Sequence, residues 1–384
     1  MFAEIEAPLL RGVAFAQDLT LNVSGRYTDY NSYGSEETFK LGLNYEPFTW
    51  LKLRGTTGTS FRAPAIFEQY LAPTSGFLSG QSDPCYDYGN ELPPTSTRYQ
   101  NCASEGLPLD WGVNGGGGVE VISAGGVATG LRSENSRADT IGIVFQPTLS
   151  ARVGGLALAV DWWRIKVTDE VAQLGAGNLL QLCYDDPQFR SGGSYCAFSS
   201  RDVNDDLTVN DYYVNIATQY VGGLDFNLRY TRDIGLGDLT VDLRATRYHR
   251  QDYRLLPADP LDRLNGTLTA PQWVGDAEFK YDWKDWTFYY FLNYVDSMDS
   301  NEYVGVDPAV DPYDFKVSAY VTQNASVRYE SKNKWSVTLG VRNFTNEKPK
   351  TISAGAYDRV GNSVLYSGYD YYGASAALTL VKEF

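Results

Sequence analysis

Residues 51–71 read LKLRGTTGTSFRAPAIFEQYL. The first half alternates with the period of a strand. Leu51, Leu53 and Gly55 point one way, and Lys52, Arg54 and Thr56 the other. The pattern stops at Phe61-Arg62-Ala63-Pro64, where proline removes a backbone donor. No regular alternation returns until about residue 134. A strand this well patterned needs a reason to open into so long a loop.

The same alternation recurs on both sides. In DLTLNVSGRYTDY (18–30), Leu19, Leu21, Val23 and Tyr27 share one face. In DAEFKYDW (276–283), Ala277, Phe279, Tyr281 and Trp283 oppose Asp276, Glu278, Lys280 and Asp282. KWSVTLGVRN (334–343) sets Trp335, Val337, Leu339 and Val341 against Ser336, Thr338 and Arg342. A soluble sandwich also alternates, but its strands run about 5–6 residues. These runs are longer, carry charges in mid-strand and end in Trp or Tyr. That pattern predicts a transmembrane β-barrel with lipid outside, a polar lumen and aromatic girdles.

The connections alternate in length. YEPFTW, IGLGDL, YDWKDW and ESKNKW are short; those near 61–134, 170–210, 255–270, 297–317 and 346–368 are long. Barrels of the outer membrane have short periplasmic turns and long extracellular loops. The loop after Arg62 is therefore expected outside, where length is tolerated and function resides. About 13 strands are expected, near 2–10, 18–31, 36–47, 50–60, 134–147, 155–168, 211–233, 236–254, 270–283, 285–297, 318–331, 334–345 and 369–384. An odd number does not suit a complete bacterial barrel. The first and last strands would both descend, so upstream partners are expected.

Composition narrows the function classes. The net charge of −15 over 384 residues argues against nucleic acid and against adhesion to an anionic membrane surface. No apolar run is long enough for a transmembrane helix. MFAEIEAPLL has neither a basic segment nor the apolar core of a signal peptide. Cys85/Cys102 and Cys183/Cys196 form two close pairs in polar stretches, which reads as two local disulfides in an oxidising compartment. A zinc site is the rival, but it would want CxxC-type spacing or nearby histidines, and His249 is the only one.

Other motifs have plain readings. NGGGG (114–118) lacks the Lys-Ser/Thr of a phosphate loop and reads as a loop tip. Asp307, Asp311 and Asp314 lack EF-hand spacing and read as solvated carboxylates. No metal site and no cofactor is expected. The charges Arg229, Asp225, Asp242 and Arg244 face the lumen, where they would bind one another, a plug or a ligand. Trp162, Trp273, Trp283, Trp286 and Trp335 read as interface anchors. The ligand candidates are loop aromatics and a loop charge: Tyr86, Tyr88, Arg98, Trp111, Tyr303 and Tyr357. Packing of the loops on themselves is the competing role for each.

The opening stretch, with LRGTTGTSFRAPAIFEQY at its centre, resembles the C-terminal half of TonB-dependent outer-membrane receptors. EIEAPLL and LNVSGRYTDYNSYGSEETFKLGLNYEP are similar to the strands that precede it there. CYDDPQFRSGGSYCAFSSRD with VNIATQYVGGLDFNLRYT resembles a loop and the next strand, and LGVRNFTNEKP the penultimate strand. The resemblance runs end to end. It implies an all-β, antiparallel barrel segment, about 13 of roughly 22 strands, with the whole of 1–384 as C-terminal barrel and no plug domain. It implies a Gram-negative outer-membrane location and uptake of an iron chelate, cobalamin or saccharide with TonB-derived energy in the full-length protein. The implied partners are outer-membrane lipid, a small-molecule ligand, the barrel assembly machinery, read through the terminal aromatic Phe384, and TonB through the region absent here. No enzymatic activity is expected. The alternative is a soluble or surface all-β protein, secreted and carbohydrate-active or carbohydrate-binding. It would turn its apolar faces into a dry interior.

Overall fold

A computed structural model describes residues 1–115, 118–150, 152–191, 195–353 and 357–383. Thirteen strands form one meandering ladder: β1 (Phe2–Val13), β2 (Ala16–Tyr30), β3 (Gly34–Phe48), β4 (Leu51–Arg62), β5 (Glu134–Phe145), β6 (Gly155–Gln173), β7 (Leu207–Asp233), β8 (Asp238–Arg254), β9 (Trp273–Trp283), β10 (Trp286–Val295), β11 (Tyr320–Ser331), β12 (Trp335–Arg342) and β13 (Ser375–Lys382). Each pairs antiparallel with the next in sequence. The alternation itself fixes the register, because a shift of one residue would exchange the two faces of a strand.

Burial decides between lipid and a dry interior. Leu41 and Leu43 are each 44% exposed, Leu339 49% and Leu378 72%, although all lie in mid-ladder strands or at its end. Apolar area left in water costs about 25 cal/mol per Å². A face built of such residues needs hydrocarbon against it. The soluble alternative fails on this point. The buried apolar residues form two clusters, and both sit mainly in the loops rather than between sheets.

The ladder's two ends differ. At the short-turn end, Phe15, Phe48, Trp50 and Phe145 touch in series, with Phe48 and Trp50 stacked at 5.1 Å. Trp286, Tyr329 and Trp335 continue the same theme at 4.8 and 5.7 Å. These are the aromatic anchors of one membrane interface. Two connections break the length rule. The loop-end turn at 31–33 is short, and the opposite connection at 146–154 is longer than its neighbours. The long excursion at 63–133 is not patternless either. It holds strands at Thr74–Leu78 and Val119–Ala124, and the latter runs parallel to β7, the one parallel pairing of this sheet among the described residues.

The lumen face is polar and paired. Arg244 meets Asp276 at 2.8 Å, Arg229 meets Asp242 at 3.6 Å and Asp225 accepts from Thr246 at 2.7 Å. Of the four charges, Arg229 and Asp242 bind one another, while Arg244 and Asp225 are held by other lumen residues.

Candidate functional site: the loop platform

The strand that opens into the long loop is closed again at its own foot. Arg62 and Glu134 are directly opposite in the β4–β5 ladder, with Nε–Oε2 2.7 Å and Nη2–Oε1 2.5 Å. The same guanidinium holds Glu68 at 2.9 and 3.0 Å, and Glu68 accepts from the Ala65 amide at 2.7 Å. Pro64 cannot donate to a ladder. Its carbonyl instead accepts from the buried Gln69 amide at 2.8 Å. Arg62-Ala63-Pro64 therefore ends the strand while fixing the loop's exit next to its return.

Above that clamp, the described residues of 63–133 and 174–206 fold together. Val119–Ala124 is flanked by Thr74–Leu78 and by the loop-end extension of β7, whose other side takes Ser199–Arg201. The disulfides Cys85–Cys102 and Cys183–Cys196 close one excursion each. Both lie at the centre of the larger apolar cluster, with Tyr88, Leu180 and Val209. The zinc alternative is excluded by these bonds.

An ionic knot joins the two excursions. Arg201 makes a bidentate contact with Asp83 at 2.7 and 2.8 Å and a further bond to Glu105 at 2.7 Å. The Arg201 and Asp83 side chains are 6% and 0% exposed. Asp83 also accepts from Trp111 Nε1 at 3.0 Å and from the Cys85 amide at 2.9 Å. Tyr184 donates to Glu105 at 2.7 Å. Burial works against the Arg201 charge, but Asp83 and Glu105 outweigh it and hold the guanidinium charged. Burial pushes the Tyr184 phenol well above its ordinary range, opposed in part by Arg201. Arg98 reaches across to Asp185 at 2.6 and 2.8 Å.

The sequence-derived ligand candidates fall into two groups. Tyr86, Tyr88, Arg98 and Trp111 belong to the knotted platform. Tyr88 is 2% exposed and donates to the Leu107 carbonyl at 2.8 Å; Tyr86 lies against Gly112, a left-handed residue where any Cβ would strike its ring. Tyr357 packs against a second cluster, built around Met298, Phe315, Val317 and Tyr320 from the described residues of loops 255–272, 296–319 and 343–374, and Tyr303 lies in the same loops but outside the cluster. Tyr357 donates to Ser300 Oγ at 2.8 Å, while Tyr303 is 48% exposed. Burial raises the Tyr303 phenol. The NGGGG run at 114–118 falls partly outside the described residues, as does Phe384.

Sequence reading missed a loop cavity of ≈ 500 Å³ between the helix Ala176–Tyr184 and the turn after β8. Its wall includes Asn178, Gln181, Asp185, Asp186, Tyr195 and Asp259, and among the described residues no Lys or Arg lines it. The size suits a small molecule. The helix gave no alternation signal because it is nine residues, AGNLLQLCY, inside a loop. Asp259 is far in sequence from Asp185 and Asp186, so only the fold brings the three together. Among the described residues no cluster of His, Cys, Asp and Glu is disposed to hold a metal.

The family model described as TonB dependent receptor-like, beta-barrel, matches residues 10–344. No protein of curated function matches the chain. Solved structures with the same fold include a mutant of the ferric enterobactin receptor PfeA from Pseudomonas aeruginosa in complex with enterobactin, at 13% identity and a TM-score of 0.61 over 99% of this chain and 44% of that one. The siderophore receptor PirA from Acinetobacter baumannii gives 16% identity and a TM-score of 0.57 over 99% and 45%. The iron transporter FrpB from Neisseria meningitidis gives 12% and 0.53 over 99% and 44%. The chain thus spans less than half the length of these solved receptors.

Proposed function

The chain belongs to the TonB-dependent receptor β-barrel family, and from this we propose that it is the C-terminal part of the barrel of an outer-membrane receptor that takes up a scarce nutrient with energy from TonB. The observation that carries this is the thirteen-strand ladder with a bare apolar face and a cross-linked loop platform at one end. Strands and a plug elsewhere in the receptor would complete the pore and contact TonB. Phe384 would serve the assembly machinery.

For the ligand, the loop cavity favours one side of the expected range. Its carboxylates Asp186 and Asp259, beside an Asp185 already held by Arg98, would repel an anionic ferric chelate and accept hydrogen bonds from hydroxyls or ammonium groups. A saccharide or a cationic chelate fits this lining best. Tyr195 supplies an aromatic surface beside those acceptors.

The test is equilibrium binding by the full-length receptor of representative saccharides, cobalamin, and anionic and cationic ferric chelates. Binding of a hydroxylated or cationic ligand, weakened at least about tenfold by Asp186→Asn with Asp259→Asn, supports the reading. Tight binding of an anionic chelate that is indifferent to these substitutions would sink it.

A further inference from the structure

We propose that the outer rim of the ladder, on strands β5 to β8, is a docking site for the phosphate-bearing headgroup of a lipid in the outer leaflet. This goes beyond ligand uptake, and it rests on the membrane reading for its orientation. The apolar face of β6 climbs through Leu156, Leu158 and Val160 to Trp162, then changes abruptly to Arg164 and Lys166. From Leu156 to Trp162 is about 20 Å along the strand at ~3.4 Å per residue, or about 15 Å of height at a barrel strand's tilt of about 40°, and Trp162 caps the run as the residues of an aromatic girdle do at the interface. The cations therefore stand at headgroup level on the loop side.

Register places neighbouring cations on the same outward face. Arg137 is opposite Lys166, and Gly222 lies between Arg164 and Arg250. A bulge in β8 adds to this. Gly222 pairs with Arg250 and Gly223 with Tyr248, so His249 is the extra residue. A Cβ on Gly222 would meet the His249 ring at 3.1 Å, which puts that ring on the outer face as well. Arg247, opposite Leu224, faces out below it. One bulge thus turns Arg247, His249 and Arg250 the same way, in a chain of net charge −15.

The aromatic contacts fit an interface site. Arg164 lies 5.6 Å from the Trp162 ring and Arg247 5.7 Å from that of Trp273. Lys166 and Arg250 share one ring, that of Tyr220, at 5.5 and 4.1 Å. Two like charges held on one ring call for an anion. Two carboxylates answer in part. Asp139 pairs with Arg164 at 2.9 Å and lies 3.6 Å from Arg137, and Asp252 pairs with Arg250 at 2.6 Å. The five Arg and Lys exceed these two acids by three, so the rim keeps a positive balance. Arg137 and Arg164 remain 60% and 63% exposed, able to turn to a phosphate. The chemistry that fits is a phosphate held at the interface by acyl chains, since the apolar band begins directly beneath the cations.

The experiment is native mass spectrometry of the detergent-solubilised protein titrated with bisphosphorylated lipid A, with its dephosphorylated form, and with inorganic phosphate as competitor. Lys166→Gln/Arg247→Gln/Arg250→Gln is compared with the Arg→Lys conservative form and with Lys284→Gln at the opposite end. The expected result is retention of bisphosphorylated lipid at least about tenfold above the dephosphorylated form, lost in the Gln variant and kept in the other two. Equal retention of both lipids, or undiminished retention by the Gln variant, overturns the proposal. Displacement by millimolar-range inorganic phosphate also overturns it, by assigning a soluble-anion site. Heat-modifiable migration reports whether each variant forms its barrel, which separates failure of this site from failure of the membrane reading. Should the triple variant not fold, Lys166→Gln alone, which leaves every strand bond in place, carries the same comparison.

Discussion

Arg54 and Asp161 meet across a strand to which neither belongs. Arg54 is on β4 and Asp161 on β6, and the two bond at 2.5 and 2.7 Å over β5. The residue beneath them is Gly142, register partner of both. A Cβ there would lie 1.9 Å from the Asp161 carboxylate and 3.1 Å from Arg54 Nε. The glycine is needed for this close approach, not for its backbone angle. Gly142→Val should therefore expel the pair. The lost contact is worth about 1 kcal/mol for a partly exposed ion pair. Crowding adds about 1–3 kcal/mol. The readout is a lower temperature for conversion of the folded to the unfolded gel form, and Arg54→Gln with Asp161→Asn should lower it less.

The Arg201 knot should behave as a buried ion pair. Arg201→Met leaves Asp83, at 0% side-chain exposure, without its main counter-charge. Breaking such a pair on one side costs about 3–5 kcal/mol. The loss should appear as rapid proteolysis within 63–133 and 174–206, with the strands intact. Adding Asp83→Asn should recover part of the resistance, because no bare charge is then left buried. Unchanged proteolysis of Arg201→Met would refute the role given to the knot.

Removing the disulfides should loosen the same platform. Each closes a short segment, with sequence separations of 17 and 13. Loops of this size are stabilised by about 3 kcal/mol per bond in the chain-entropy account. Cys85→Ser/Cys102→Ser and Cys183→Ser/Cys196→Ser should each weaken ligand binding and raise loop proteolysis. Barrel migration on gels should not change, because no strand of the ladder contains these cysteines.

The platform should also open in alkali. Burial raises the Tyr184 phenol above its ordinary range, so the folded loops hold the proton more tightly than unfolded ones do. The stabilisation is complete below the unfolded value of about 10 and is lost as pH rises beyond it. Tyrosinate absorbance should show one class titrating late and together with loss of loop protection. Tyr184→Phe should shrink the late class by one phenol, leaving the buried Tyr369 in it. A normal titration of every tyrosine in the folded protein would contradict this.

The strands were legible because a period of two, set by backbone geometry, survives whatever the lumen holds. Even the split of β4 from its loop at Arg62 was readable. The loops were not. Their helices are short, their strands at Thr74–Leu78 and Val119–Ala124 pair with distant segments, and the Arg201 knot joins residues 83, 105 and 201. The aromatic candidates were recognisable as a class, but whether a loop tyrosine faces solvent or packs inward, as Tyr88 does, depends on such long-range contacts. The β8 bulge was equally hidden, since YHR at 248–250 is also consistent with unbroken alternation.

β1 bonds to β2 along one side and β13 to β12 along one side. Every residue of β1 except Ala7 is exposed, as are all eight of β13. An unpaired backbone group in hydrocarbon costs several kcal/mol, so both strands need a second neighbour in the membrane. They cannot serve each other by regular antiparallel pairing, because both run toward the short-turn end. We expect the neighbours to come from the rest of the receptor. Hydrogen exchange should then find the amides of β1 and β13 far less protected than those of β2 to β12 in the 384-residue chain in detergent. In the full-length receptor they should be equally protected. Full protection of both in the 384-residue chain, together with efficient cross-linking of Ile5→Cys to Leu378→Cys, would show instead a parallel seam between them, and the barrel would close on thirteen strands.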